Sequence, residues 1–146
     1  MDWIGILDEP LAVAAATEFV THPDAGGIAI FLGTTRAEKN DAGNELLALD
    51  YEAYAEMATT QLRDLAKRAR EKWPIAKLAL LHRVGRVKVG EPSVLIAVAT
   101  PHRGESFGAC EWLIDTLKKE VAIWKKEIWA DGSDSWVEPD KRNFLV

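Results

Sequence analysis

TPHRGESFGACEWLIDTLKKEVAIWKKE, residues 100–127, decides how the chain folds, because it reads either as one long basic helix or as a helix that turns into a strand. Phe107, Cys110, Leu113, Ile114 and Leu117 recur at steps of three and four, the spacing of an amphipathic helix, and Ser106 stands where an N-cap belongs. Beyond Glu120 the composition shifts to Val121, Ile123, Trp124 and Trp129, side chains that suit a pleated strand. The reading is therefore a helix from Ser106 to about Glu120, a break near Val121 and a strand to Trp129. Lys118 and Lys125 are seven residues apart, as are Lys119 and Lys126, and on a continuous helix such pairs nearly eclipse, drifting by only about 20°. With the break, Lys118 sits on the last helical turn, where a cation suits the carbonyl end. Lys125 then sits on a strand, and the corner between them still lets the two ammoniums converge.

Working outward, Trp3 to Leu7 is a short apolar strand, and Asp8 with Pro10 marks the start of a helix running to about Val20, with Leu11, Ala14, Ala15 and Phe19 on its inner face. Ile28 to Leu32 is an uninterrupted apolar run, the pattern of a buried central strand. AEKNDAGNE, residues 37–45, lacks apolar periodicity and collects Asn, Asp and Gly, so a mobile loop is expected there, with Arg36 at its entrance. Leu46 to Tyr54 is a strand, and Ala55 to Trp73 a helix with Met57, Leu62, Leu65, Ala66 and Ala69 inward. Ile75–Arg83, a short valine-rich strand within 84–92, and Ser93–Thr100 suggest an antiparallel meander. ADGSDS followed by WVEP reads as a hairpin loop and a returning strand. The order β-α-β-β-α-β-β-β-α-β-β, with strands in runs and three main helices, is that of an α+β protein.

The totals bound the function. A chain of 146 residues is one domain, 1–146, by the usual prior, long enough to bury roughly 68% of the surface its unfolded form exposes. Net charge is −5, which argues against nucleic acid or anionic membrane as partner, so any bound anion has to meet a local basic pocket. The single Cys110 and the lack of zinc-type Cys/His spacing fit a reducing cytosol and recommend neither metal nor cofactor. An acidic residue at position 2 and the shortness of every apolar run argue against a signal peptide or membrane span, so a cytoplasmic protein is expected.

Arg36, His102, Arg103, Lys118 and Lys125 form an anion-site hypothesis. Arginine offers a planar fork of donors to phosphate, and lysine a point charge able to act as acid or base once partly buried. The competing reading is that surface strands and helix ends carry Lys and Arg as solvated charge, and pattern alone favours it. On the residues alone, His102 and His82 have equal claims, each better explained as structural. Cys110 lies on the apolar face of its helix and is better explained as a small core residue than as a nucleophile. Glu52, Glu56, Asp115 and Glu127 form no supported acid/base pair.

FLGTTR at 31–36, YEAYAEMA at 51–58, HRVGRVKVGE at 82–91, PHR at 101–103, IDTLKKEVAIWKKE at 114–127 and WVE at 136–138 together resemble the large subunit of molybdopterin synthase, the MoaE family. The resemblance covers nearly the whole chain in one order. It implies an α/β hammerhead-type fold with an additional antiparallel β subdomain, and a sulfurtransferase. In that family a small ubiquitin-like subunit inserts its thiocarboxylated Gly-Gly tail into the large subunit, and sulfur passes to cyclic pyranopterin monophosphate to make the molybdopterin dithiolene. It also implies a homodimer of large subunits within a heterotetramer. Carried over by motif, Lys118 and Lys125 are the catalytic pair, and Arg36, His102 and Arg103 bind substrate, the last two partly across the dimer interface. The runner-up is a non-catalytic anion-binding or scaffold module that keeps the ubiquitin-like partner. One departure is Ala122, where relatives commonly carry proline, which removes a helix-ending signal from the corner.

Overall fold

The computed structural model describes residues 1–137. Its elements are β1 (Asp2–Leu7), α1 (Val13–Val20), β2 (Gly27–Thr34), β3 (Leu46–Ala53), α2 (Ala55–Lys72), β4 (Lys77–Arg83), β5 (Gly85–Lys88), β6 (Pro92–Thr100), α3 (Arg103–Glu120), β7 (Ile123–Trp129) and β8 (Asp134–Trp136). This is the expected order, and it is an α+β fold. One sheet runs β1-β4-β6-β2 and the other β5-β3-β7-β8, each four strands wide. All pairs are antiparallel except β1 with β4. No helix among the described residues is long and apolar enough to cross a membrane.

The first sheet is covered on both faces at its centre. Along β4 and β6, Leu78, Leu80, Val94, Ile96 and Val98 face the core built with α2 and α3, while Ala79, Leu81, Leu95, Ala97 and Ala99 face α1. Two covered faces explain why these strands are apolar without alternation, and each buried leucine contributes about 1.5–3 kcal/mol.

Several expectations change here. β2 is an edge strand, not a central one. Ala29 is buried and Phe31 packs on the α2/α3 core, whereas Ile28, Ile30 and Leu32, on the opposite face, are 41, 41 and 36% exposed because α1 packs on β4 and β6. An apolar run does not reveal whether its second face is covered by its own chain. β5 leaves the expected meander to pair with β3 in the other sheet. α1 begins at Val13 after Ala12 rather than at Asp8, because Leu11 anchors in the core and Val13 N–H bonds to its carbonyl (3.1 Å). Ala16 and Val20, not Ala14 and Ala15, form its buried face. In α2 the inward position near the start is Ala58, leaving Met57 exposed, and in α3 Phe107 is exposed. α3 starts three residues before Ser106. The Glu105 carboxylate accepts from the His102 N–H (3.0 Å) to close the first turn, and buried Ser106 donates to the Arg103 carbonyl (2.9 Å).

The 37–45 stretch turns on Asn40, whose side-chain oxygen accepts from the N–H groups of Ala42 (3.1 Å) and Asn44 (2.9 Å), with Gly43 in the left-handed region at φ 83°. The returning strand β8 begins at Asp134, two residues inside the expected hairpin loop, and shares only Trp136 with the expected WVEP strand, whose Glu138 and Pro139 lie outside the described residues.

Candidate functional site

The break at residue 121 is where the site is made. α3 closes with Val121 N–H on the Leu117 carbonyl (3.1 Å), and Val121 is extended at φ −86°, ψ 135°. Ile123 N–H then bonds to the Val121 carbonyl (2.8 Å), and the chain leaves as β7. A proline at 122 has no N–H to satisfy. Ala122 has one, and Gln61 on α2 accepts it through Oε1 at 2.7 Å. The corner is thus held from outside by a side chain, which accounts for its forming without the proline signal.

Alternation along β7 sorts its side chains. Lys125 and Glu127 face a cavity, while Lys126, on the other face, lies 4.7 Å from the Trp136 ring and 3.8 Å from the Asp134 carboxylate. The cavity measures about 330 Å³, at the small end of ligand pockets. Lys118 enters its wall from the last turn of α3, Lys125 from β7, and Arg36 from the chain just past β2. Tyr51 and Leu49 of β3, His82 of β4 and Glu38 complete the side that matters chemically. Three cations and two carboxylates therefore share one concavity, with Arg36 held 3.3 Å from Glu38. Burial, and then the Glu38 charge, push the Glu127 carboxyl above the usual range, while Lys125 pulls it the other way.

His102 and Arg103 are elsewhere. Both are exposed at the N-terminal end of α3, where the His102 ring lies 3.6 Å from Glu105 and the His102 carbonyl accepts from Thr100 Oγ1 (2.7 Å). Fifteen residues of helix separate Arg103 from Lys118, which is about 22 Å. Gly27 lets β2 pass this end closely: a Cβ there falls 2.9 Å from the Arg103 Cα. Cys110 is buried and its thiol is pushed up to about 11 by desolvation, the behaviour of a core residue rather than a nucleophile.

So Arg36, Lys118 and Lys125 are brought together, and His102 with Arg103 are not brought to them by one chain. Tyr51 and Glu38, to which sequence alone assigns no role, join the cavity, as do His82, read there as structural, and Glu127, read there without an acid/base partner. For Glu127 a signal was present, since two residues from Lys125 on a strand means the same face. For His82 there was none, because nothing local shows which side of a buried strand meets the corner.

The family described as MoaE protein matches residues 6–120. The chain belongs to the MoaE family. Among its relatives, a zebra finch (Taeniopygia guttata) protein named molybdopterin synthase catalytic subunit is 44% identical over 138 residues, covering 94% of this chain and 87% of that one. Arabidopsis thaliana has a relative of the same name at 47% identity over 137 residues, covering 92% of this chain and 68% of that one. The fold agrees with a molybdopterin synthase crystal structure from Staphylococcus aureus, at TM-score 0.87 and 35% identity, covering 94% of this chain and 98% of that one. The MoaE family thus supplies relatives alike in sequence and in fold over nearly the whole chain.

Proposed function

We propose that this chain is the catalytic subunit of a molybdopterin synthase, acting in the cytoplasm. It takes sulfur from the thiocarboxylated C-terminus of a small ubiquitin-like subunit and delivers it to cyclic pyranopterin monophosphate, building the molybdopterin dithiolene. Each transfer replaces a carbon–oxygen bond on the pterin side chain by a carbon–sulfur bond, the displaced oxygen leaving as water or with the opening cyclic phosphate, and hydrolysis of the carbon–sulfur bond to the small subunit leaves its tail as a carboxylate with oxygen from water. The observation that carries this reading is the helix-to-strand corner that puts Lys118 and Lys125 with Arg36 on one cavity of about 330 Å³. Thiocarboxylate and cyclic phosphate are both anions, and clustered cations lower the cost of bringing them together. Lys118 and Lys125 stabilise the charge that develops at the acyl carbon and move protons, and Arg36 binds substrate. A Gly-Gly tail, lacking side chains, suits so narrow a space.

A small-subunit partner is in keeping with a structural neighbour from Helicobacter pylori, a protein–protein complex of subunits 1 and 2 of molybdopterin-converting factor, at TM-score 0.76 and 20% identity over 92% of this chain and 89% of that one. His102 and Arg103 serve the same reaction from a second copy of the chain. β2 supports this, since among the described residues it is an edge strand with an exposed apolar stripe, Ile28, Ile30 and Leu32. It runs from Gly27, paired with Thr100 beside His102, to Phe31–Thr34 in the cavity wall. A copy related by a two-fold axis near its middle runs the opposite way and brings its own His102 and Arg103 to this cavity.

The test is reconstitution with a thiocarboxylated small subunit and cyclic pyranopterin monophosphate, measuring molybdopterin formed. Lys118→Ala is expected to lower turnover by roughly 10²–10³-fold, with thermal unfolding and small-subunit affinity unchanged. Unaltered turnover in that variant rejects the assignment. A parent chain that binds the small subunit without forming product is instead the scaffold module.

A further inference from the structure

His82 has a place in the site that neither its sequence nor the motif roles assign. It is 5% exposed, at the end of β4, with its ring edge-on to Tyr51 at 5.0 Å between centroids. Its Nδ1 lies 2.8 Å from the Arg83 carbonyl oxygen. A carbonyl only accepts, so Nδ1 carries the proton, and in the neutral ring Nε2 is left as a lone-pair acceptor. Besides lining the main cavity, His82 and Lys118 share a second, smaller space of about 20 Å³ with Tyr51, Leu117, Val121 and Ile123, behind the helix-to-strand corner. That volume holds a single water. The ionisable groups on the surrounding elements are Tyr51 on β3, Lys118 on α3, Lys125 and Glu127 on β7, and Arg36 and Glu38 beyond β2.

We propose that His82 is a positioning residue for Lys118: its Nε2 accepts from the Lys118 ammonium, directly or through the one-water space, and aims that charge into the cavity. The Arg83 carbonyl fixes the tautomer and Tyr51 fixes the ring plane, so the acceptor is rigid, whereas a lysine on the last turn of a helix has four rotatable bonds to place. A catalytic cation misplaced by about 1 Å costs on the order of 10²-fold in rate. The inference rests on the sulfur-transfer reading for its kinetic consequence, and on the geometry of the chain alone for its chemical one.

Two variants separate the ring from its nitrogen. His82→Phe keeps an aromatic ring against Tyr51 and deletes Nε2, and His82→Gln places an amide oxygen near the Nε2 position. In the reconstituted assembly, His82→Phe is expected to lower kcat by about 10–100-fold with KM and small-subunit affinity within about twofold. His82→Gln should regain most of that rate. Losing an acceptor disfavours the ammonium, so in the chain alone Lys118 of His82→Phe should be acylated several-fold faster by acetic anhydride at neutral pH than in the parent, with exposed Lys119 as internal reference and His82→Gln restoring the parent rate. Equal kcat in parent and His82→Phe overturns the proposal, as does a His82→Gln as slow as His82→Phe, or Lys118 labelling unmoved by either. If the parent assembly makes no product, the sulfur-transfer reading fails instead, and the labelling still decides the role of His82.

Discussion

The two ends of α3 carry cations in opposite circumstances. At the C-terminal end, Lys118 is half-buried in a wall shared with His82, Tyr51 and Lys125, and the corner beyond it is pinned by Gln61. At the N-terminal end, His102 and Arg103 stand in solvent, and the His102 side chain is 88% exposed beside Glu105. One end is a place where a charge is strengthened by its surroundings; at the other, charge is screened to little effect. The helix is a rigid spacer of 18 residues, about 27 Å long, so a single chain cannot fold these cations into one cluster. If both ends serve one reaction, they belong to two molecules, and the edge strand β2 that joins the ends is the element to carry the second.

The sharpest way to break this comparison is to remove the exposed end. Arg103→Ala touches nothing in its own cavity, yet with a composite site it should lower kcat/KM by about 10–100-fold, the worth of one charged hydrogen bond to substrate. Co-expression with Lys118→Ala chains then discriminates. In a mixed dimer with composite sites, both changes fall on one site and the other is intact, so a random mixture recovers about a quarter of the parent activity. If each chain works alone, the mixture shows no recovery.

A smaller effect sharpens the other end. Gln61→Leu leaves the partly buried Ala122 N–H without its acceptor, at a cost of about 1–3 kcal/mol for an unpaired donor. Thermal unfolding should fall by roughly 3–8 °C for a chain of this size. Adding Ala122→Pro deletes the orphaned donor, and Val121 is already extended as a residue before proline must be. The double variant should therefore regain most of the loss. A double variant as unstable as Gln61→Leu alone means that Gln61 acts through something other than that bond.

Much of this was legible in the chain itself. The order of all eleven elements follows from periodicity and punctuation, and the break at Val121 from β-branched and tryptophan residues after a regular three-four pattern. Lys118 and Lys125 converge for the reason given, a helix meeting a strand. What was not legible depends on distant partners. β2 carries as unbroken an apolar run as the covered strands, yet Ile28, Ile30 and Leu32 are exposed, because an apolar run does not encode how far the helix layer extends over the sheet. Met57 and Phe107 fit the helical pattern but are exposed, each in the first turns of its helix. His102 and Arg103 follow a strand end, and nothing local says which end of the molecule that is. The roles of the lysines came from the motif resemblance, since bare pattern favoured solvated charge.

The cavity end also differs from the exposed end in tolerating a carboxyl that is uncomfortable when ionised. Glu127 has its pKa raised by burial and by Glu38, so the folded chain holds that proton more tightly than the unfolded one. Between the unfolded value, about 4.3, and the raised folded one, the native state binds more protons, and stability falls as pH rises through that window. Above it the full cost is present, and below the unfolded value none is. Glu127→Gln removes the titration while keeping the shape. It should raise the midpoint of thermal unfolding at neutral pH by on the order of 1–2 °C, a small gain because the side chain is partly screened by solvent. The gain should vanish near pH 4, where the parent carboxyl is protonated as well. A stabilisation that persists unchanged at acid pH assigns the effect to packing, and the cavity then has no electrostatic character to set against the open end of α3.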